Sequence, residues 1–251
     1  MTSRLTRRVK SGTRPVALVT GGAHRLGREI ALGFGRAGWD VAVHFRSRRK
    51  DAEETGRLLR KGGTRAASFG ADLSRGGAPL RLVKKVLSVF GRLDVLVHAA
   101  SPWITKPVAD VTVADWEAVF RVGPRAAFFL SQAAAPHLAR RRGAILLISD
   151  VAATKAWPNH VPHAAAKAAV DALVRNLAVA LAPAVRVNGV APGIVLPPDD
   201  LPTAEVDRLV ARTPLRRTVP VEDLVSASLL LAANRSITGQ VLAVDAGRSL
   251  V

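Results

Sequence analysis

Val16-Ala17-Leu18-Val19-Thr20, followed at once by Gly21-Gly22-Ala23-His24-Arg25-Leu26-Gly27, decides the fold. Five uncharged apolar or β-branched residues read as a strand buried on both faces. A glycine turn follows, and a helical pattern starts at Leu26. Strand, glycine turn and helix in this order are what a dinucleotide site requires. Backbone N–H groups at the helix N-terminus meet a pyrophosphate, and glycine lets the chain approach it closely.

Outward from this segment the alternation continues. Strands are expected at Val16–Thr20, Asp40–Phe45, Arg65–Gly70, Leu93–Ala99, Gly143–Ser149, Val185–Val190 and Gln240–Val244. Helices are expected at Leu26–Ala37, Lys50–Lys61, Pro79–Phe90, Ala114–Arg140, Pro162–Leu181 and Glu222–Ala233. Strand alternating with helix predicts one α/β domain of Rossmann type over residues 15–251. It has a doubly wound parallel sheet of about seven strands, helices on both faces, and its ligand site at the strand C-termini. Leu196–Arg217, rich in Pro and Asp, reads as a substrate loop or lid.

The chain has 251 residues, 49% of them hydrophobic, enough for one large core. With no cysteine there is no disulfide and no Cys-ligated metal, and no metal site is expected. Residues 1–14 read as a basic flexible tail rather than a signal peptide, because no sustained apolar stretch follows the basic residues. No apolar run reaches the ~18 residues of a membrane span. These features suit the cytoplasm. The net charge of +18 would fit nucleic-acid binding, but the basic residues form no stripe and no nucleic-acid motif accompanies them. They read as solvated faces of an Arg-rich chain, with a share left for an anionic cofactor.

Thr20-Gly21 and Gly27 resemble the TGxxxGxG fingerprint of the short-chain dehydrogenase/reductase family, with Arg25 at the middle glycine. An arginine there is similar to the pteridine-reductase branch, where it contacts cofactor phosphates and the pterin. The resemblance places His24, Arg25 and Leu26 with Gly21 and Gly27 at the cofactor. Asp40 lies about 20 residues beyond the glycines, the usual distance of a ribose-binding acid, but it starts the second strand instead of ending it. At that strand's C-terminal end stand His44, Phe45, Arg46, Ser47, Arg48 and Arg49, with no carboxylate. Cations and a hydroxyl suit a 2′-phosphate, so NADP(H) is expected, with His44, Arg46 and Ser47 in contact. Asp72-Leu73 matches the family's adenine-binding pair, and Asp72 also fits a helix cap with Ser74.

The family's active site has Asn, Ser, Tyr and Lys. This chain contains no tyrosine. His163-Ala164-Ala165-Ala166-Lys167 matches the Tyr-to-Lys segment, with His163 in place of the phenol. Asp150 stands at the serine position, as in pteridine reductases. Gly123 falls at the asparagine, and His98-Ala99-Ala100-Ser101 replaces Asn-Asn-Ala-Gly. A neutral imidazole is a poor acid, whereas an imidazolium, with a pKa of about 6.5 in water, is a strong enough one. The expectation is that Asp150 and His163 supply the proton and Lys167 binds the nicotinamide ribose. Ala99 and Ala100 border the cofactor, and Pro192, Gly193 and Val195 follow the sixth strand past the carboxamide.

On the substrate side the resemblance implies Arg25, Ser101, Trp103, Asp150 and His163. The Trp103 ring offers a broad face to a flat heterocycle, and Trp157 a second wall. Ile237 to Gly247 matches the last strand. The family forms dimers or tetramers through the two long helices, and a homodimer or homotetramer is expected. The function implied is NADPH-dependent reduction of a pteridine, or of another flat heterocycle or carbonyl. The alternative is an NADP(H)-binding sensor or partner subunit without turnover.

Overall fold

The computed structural model describes residues 14–197 and 201–251. The expected tail, apart from Arg14, lies outside them. Arg14 itself donates from Nη1 to the Gly63 carbonyl at 2.5 Å.

Seven strands form one parallel sheet: β1 (Val16–Thr20), β2 (Asp40–Phe45), β3 (Ala66–Gly70), β4 (Val95–His98), β5 (Ala144–Ile148), β6 (Arg186–Pro192) and β7 (Val241–Val244). Their order is β3-β2-β1-β4-β5-β6-β7. Helices α1 (Arg25–Arg36), α2 (Arg49–Lys61), α3 (Ala78–Phe90), α4 (Val113–Phe120), α5 (Ala126–Ala139), α6 (Val161–Ala180), α7 (Thr203–Ala211) and α8 (Val221–Ala233) complete the fold. Direction reverses between β1 and β4, which pair with Thr20 opposite His98. Ligands of such sheets bind at that switch point.

Strand side chains alternate between two cores. Val16, Leu18, Leu96, Ile145 and Leu147 pack with Leu82, Leu130 and Val174 of α3, α5 and α6. Ala17, Val19, Val97 and Leu146 pack with Ile30, Phe34, Leu59 and Leu224 of α1, α2 and α8. Both faces of β1, β2, β4 and β5 are covered, and these are near-continuous apolar strands as expected, whereas the edge strands β3 and β7 are partly exposed.

The long helix expected over Ala114–Arg140 is two. Between α4 and α5, residues Arg121–Arg125 make a wide π-type turn, with Gly123 at φ −76, ψ −109. Pro124 has no N–H for the helical ladder and its ring crowds the preceding turn, so the helix breaks there. The segment expected as a loop over Leu196–Arg217 contains α7. Among the described residues no helix is long and apolar enough to cross a membrane.

Candidate active site

A cleft of about 1020 Å³ opens at the strand C-termini over the switch point. Gly21 turns the chain out of β1 at φ +68. A Cβ at Gly27 would overlap the Gly21 carbonyl oxygen, so the first turn of α1 closes on the strand end only without a side chain. Arg25 holds the glycine-like backbone at φ +47, and its guanidinium donates across the cleft mouth to the Leu196 carbonyl.

Two buried histidines tie this turn to its neighbours. His44 Nδ1 accepts the Gly21 N–H at 3.2 Å, and its Nε2 meets the Ala71 carbonyl at 3.0 Å. Burial holds the ring neutral and lowers its pKa to about 4, against the smaller opposing pull of the Ala71 bond and Asp72. Both nitrogens are thus taken by backbone, and the expected cofactor contact of His44 becomes a brace for the turn. His98 acts alike on the other side. Thr20 Oγ1 accepts from Ala99 N–H at 3.1 Å and Ala100 N–H at 3.3 Å, so its own proton points to His98 Nδ1 at 2.9 Å. The opposite nitrogen, Nε2, donates to the Val122 carbonyl in the π-type turn at 3.0 Å. Burial first, then the Lys167 charge, lowers the His98 pKa to about 3.

Along α6, His163 and Lys167 are one turn apart and face the cleft together. His163 Nε2 lies 3.4 Å from Asp150 Oδ2, while Asp150 Oδ1 accepts the Ala152 N–H at 2.9 Å. His163 Nδ1 is buried with no hydrogen-bond partner. Lys167 donates to the Ile148 carbonyl at 2.7 Å. Its burial lowers the ammonium pKa, partly offset by Asp150 and Asp171. Below it, Asp171 accepts a short hydrogen bond from Ser149, and burial raises its pKa.

Trp103 lies edge-on to His163, with centroids 4.6 Å apart, and 6.0 Å from Trp157. His160 fills the corner, 4.7 Å from the Trp103 ring, and bonds to Thr105 Oγ1 at 3.0 Å.

The cleft therefore brings together Gly21, His24, Arg25, Leu26, Gly27, Ala99, Ala100, Ser101, Trp103, Asp150, His163, Lys167, Pro192, Gly193 and Val195. Arg46 and Ser47 lie outside it, exposed beyond the end of β2. Asp72 is held by the N–H and hydroxyl of Ser74, at 3.0 and 2.6 Å, and its pKa is lowered chiefly by that hydroxyl. The Leu73 side chain is in the core, which leaves only its backbone for a ligand. Sequence reasoning missed His160, Ile194 and Arg248, which line the cleft, while Glu205, Val206 and Leu209 of α7 line it within the segment expected as a substrate loop. Arg248 carries no spacing signal. It arrives because β7 lies beside β6 and the chain turns back after it.

The family profile described as enoyl-(acyl carrier protein) reductase matches residues 21–249. Hydroxynaphthalene reductase-like protein Arp2 of Metarhizium robertsii is 35% identical over 257 positions, covering 95% of this chain and 96% of that protein. Tetrahydroxynaphthalene reductase of Pyricularia oryzae is 30% identical, over 92% of this chain and 88% of its own length. Among solved structures, FolM alternative dihydrofolate reductase 1 from Brucella canis, complexed with NADP, superposes with a TM-score of 0.87 at 30% identity, covering 96% of each chain. The chain belongs to the short-chain dehydrogenase/reductase family of nicotinamide-dependent oxidoreductases.

Proposed function

We propose that the chain is an NADPH-dependent reductase of a flat fused-ring carbonyl or pterin, in which Asp150 and His163 supply the proton. The observation that carries this reading is the pair itself. A histidine with a carboxylate on one nitrogen and no partner on the other stands on the wall of a cleft beside Lys167 and against Trp103. The relatives named for hydroxynaphthalene and dihydrofolate reduction support a two-ring substrate.

The residues fit the cofactor. The Gly21–Gly27 turn closes α1 onto the end of β1 only without a Cβ, which sets the helix N-terminus where a pyrophosphate would bind, and the end of β2 offers Arg46 and Ser47 with no carboxylate. Asp72 and the Leu73 backbone would border the adenine, Lys167 the nicotinamide ribose, and Pro192, Gly193 and Val195 the carboxamide. NADPH, when bound, supplies the hydride to carbon. The chain's own part is the proton. A charged His163 keeps one N–H toward Asp150 and carries the other on Nδ1. Giving up the Nδ1 proton to a substrate oxygen or ring nitrogen leaves the neutral ring still donating to Asp150. Hydride and proton together convert C=O to CH–OH, or C=N to CH–NH.

The exposed rings Phe128 and Phe129 on α5, beside Ala169 and Leu173 of α6, support pairing of two copies through these helices. A homodimer or homotetramer by light scattering is the matching result.

The test is loss of NADPH absorbance with a panel of fused-ring ketones and pterins. His163→Ala should abolish turnover while NADPH still binds. Full activity in that variant refutes the proton-donor role. NADPH binding by the native chain with no turnover of any compound would favour a binding protein instead.

A further inference from the structure

Arg248 stands in the short helical turn Arg248–Leu250 after β7, beyond Gly247 at φ +83. Its guanidinium carbon lies 5.3 Å from the centre of the Trp157 ring, and the side chain lines the cleft. Its Nε is buried with no acceptor. Among the described residues no carboxylate pairs with Arg248, Lys155 or Arg212 within salt-bridge distance. The two nearby acids are already committed. Asp245 accepts from the N–H groups of Gly247 at 2.9 Å and Ser249 at 2.7 Å. Asp150 accepts from Ala152 and faces His163. Lys155 adds a second cation, donating to the Arg248 carbonyl at 3.1 Å. Burial lowers the proton affinity of Lys155 and Arg248 alike, and Arg212, which follows α7, adds to this while Asp245 opposes it at both and Asp150 at Arg248.

A buried donor without an acceptor is costly, and the residue that carries it is a cation on the cleft wall. Contact with the Trp157 ring helps to position the guanidinium, whose planar fork suits an oxyanion. We propose that Arg248, backed by Lys155, anchors an anionic oxygen of the substrate, so that the cleft takes a flat aromatic ring system bearing a carboxylate or an ionised phenol. The inference rests on the reductase reading for the chemistry done on that ring, but the anion site itself does not depend on turnover.

The experiment is therefore one of binding. Quenching of tryptophan fluorescence in the native chain and in Arg248→Gln reports on 1-naphthoate, methyl 1-naphthoate, and 1-naphthol below and above its ionisation. The native chain should bind 1-naphthoate about tenfold tighter than the ester, and Arg248→Gln should lose that preference while its affinity for the ester is unchanged. Tightening of 1-naphthol on ionisation, again only with Arg248 present, assigns the anion as a phenolate, and preference confined to naphthoate assigns a carboxylate. Equal binding of acid and ester by the native chain, or a preference that survives Arg248→Gln, overturns the proposal. If Arg248→Gln fails to fold by circular dichroism, Arg248→Lys decides: it should keep part of the acid preference. Anion preference in a chain that turns over no compound would retain the inference and remove the reductase reading.

Discussion

Lowering the pH from 7 to 5 should cost the fold about 4 kcal/mol through His44 and His98, and replacing His98 should restore about half of that difference. Each ring is held neutral because its Nδ1 must accept: from Gly21 N–H in His44, and from the Thr20 hydroxyl in His98. A proton there would set two hydrogens face to face, in a site already desolvated. The folded values are about 4 and about 3, against an ordinary 6.5. Both folded values lie below the unfolded one. Between them the unfolded chain binds more protons, so stability rises with pH in that window. The contribution is complete above pH 6.5 and shrinks as the pH falls toward each folded value. At pH 5 an unfolded histidine is almost wholly charged while the folded one is almost wholly neutral. That difference amounts to about 2 kcal/mol per ring relative to pH 7. The assay is urea unfolding at both pH values, for the native chain and His98→Gln. The variant loses hydrogen bonds, so its stability at pH 7 should fall by about 1–3 kcal/mol. The discriminating quantity is the change between the two pH values, which should be about 2 kcal/mol smaller in the variant. Equal acid losses in the two proteins would refute the account of His98 as a neutral acceptor.

Two further perturbations address the phosphate-binding turn. Gly27→Ala places a methyl group on the Gly21 carbonyl, which neither backbone can yield without opening the turn; calorimetry should show NADPH affinity reduced at least tenfold, on the order of 1.4 kcal/mol, and unchanged affinity would mean that the turn does not hold the cofactor. Arg25→Gly relieves a left-handed backbone, worth about 1 kcal/mol of stability, but removes the guanidinium that reaches Leu196. The melting temperature should rise while the KM of the ring substrate rises too, and a fall in melting temperature would show that the bridge to Leu196 outweighs the strain.

The fold was legible because its decisive signals are local. Val16–Thr20 and Asp40–Phe45 have the observed bounds, since apolar runs between turn residues define buried strands directly. Long-range geometry hid the rest. Pro124 stood in plain view inside the expected helix over Ala114–Arg140, but its effect depends on whether the freed carbonyls find partners. In the broken turn the Val122 carbonyl has a partner only because His98 lies opposite in space. Asp150 and His163 could be aligned by spacing, whereas their 3.4 Å approach needed the turn that Asp150 itself caps. Arg248 was illegible because nothing local to it mentions Trp157, which is brought near by the β6–β7 pairing.

Three departures from the family's pattern, at residues 98, 25 and 163, keep polar partners. Where the family's Asn-Asn-Ala-Gly begins, His98 uses both ring nitrogens to join the strand end to the π-type turn, and the Thr20 hydroxyl still receives Ala99 and Ala100. Where the family's fingerprint has glycine, Arg25 keeps the glycine's backbone angle. At the position that the resemblance matches to the family's tyrosine, His163 is buried and faces Asp150. A site under no constraint would be expected to lose such partners along with the residues they serve, because a buried polar group left alone is costly and is removed by any apolar substitution. His98, Arg25 and His163 each have a polar neighbour in place, whereas Ala99 and Gly123 carry no polar side chain; among these replacements the nitrogen without a partner is His163 Nδ1, on the ring that the proposed chemistry uses. That pattern supports the proposed exchange of proton donors, in which Asp150, by facing His163, matters as much as the ring itself.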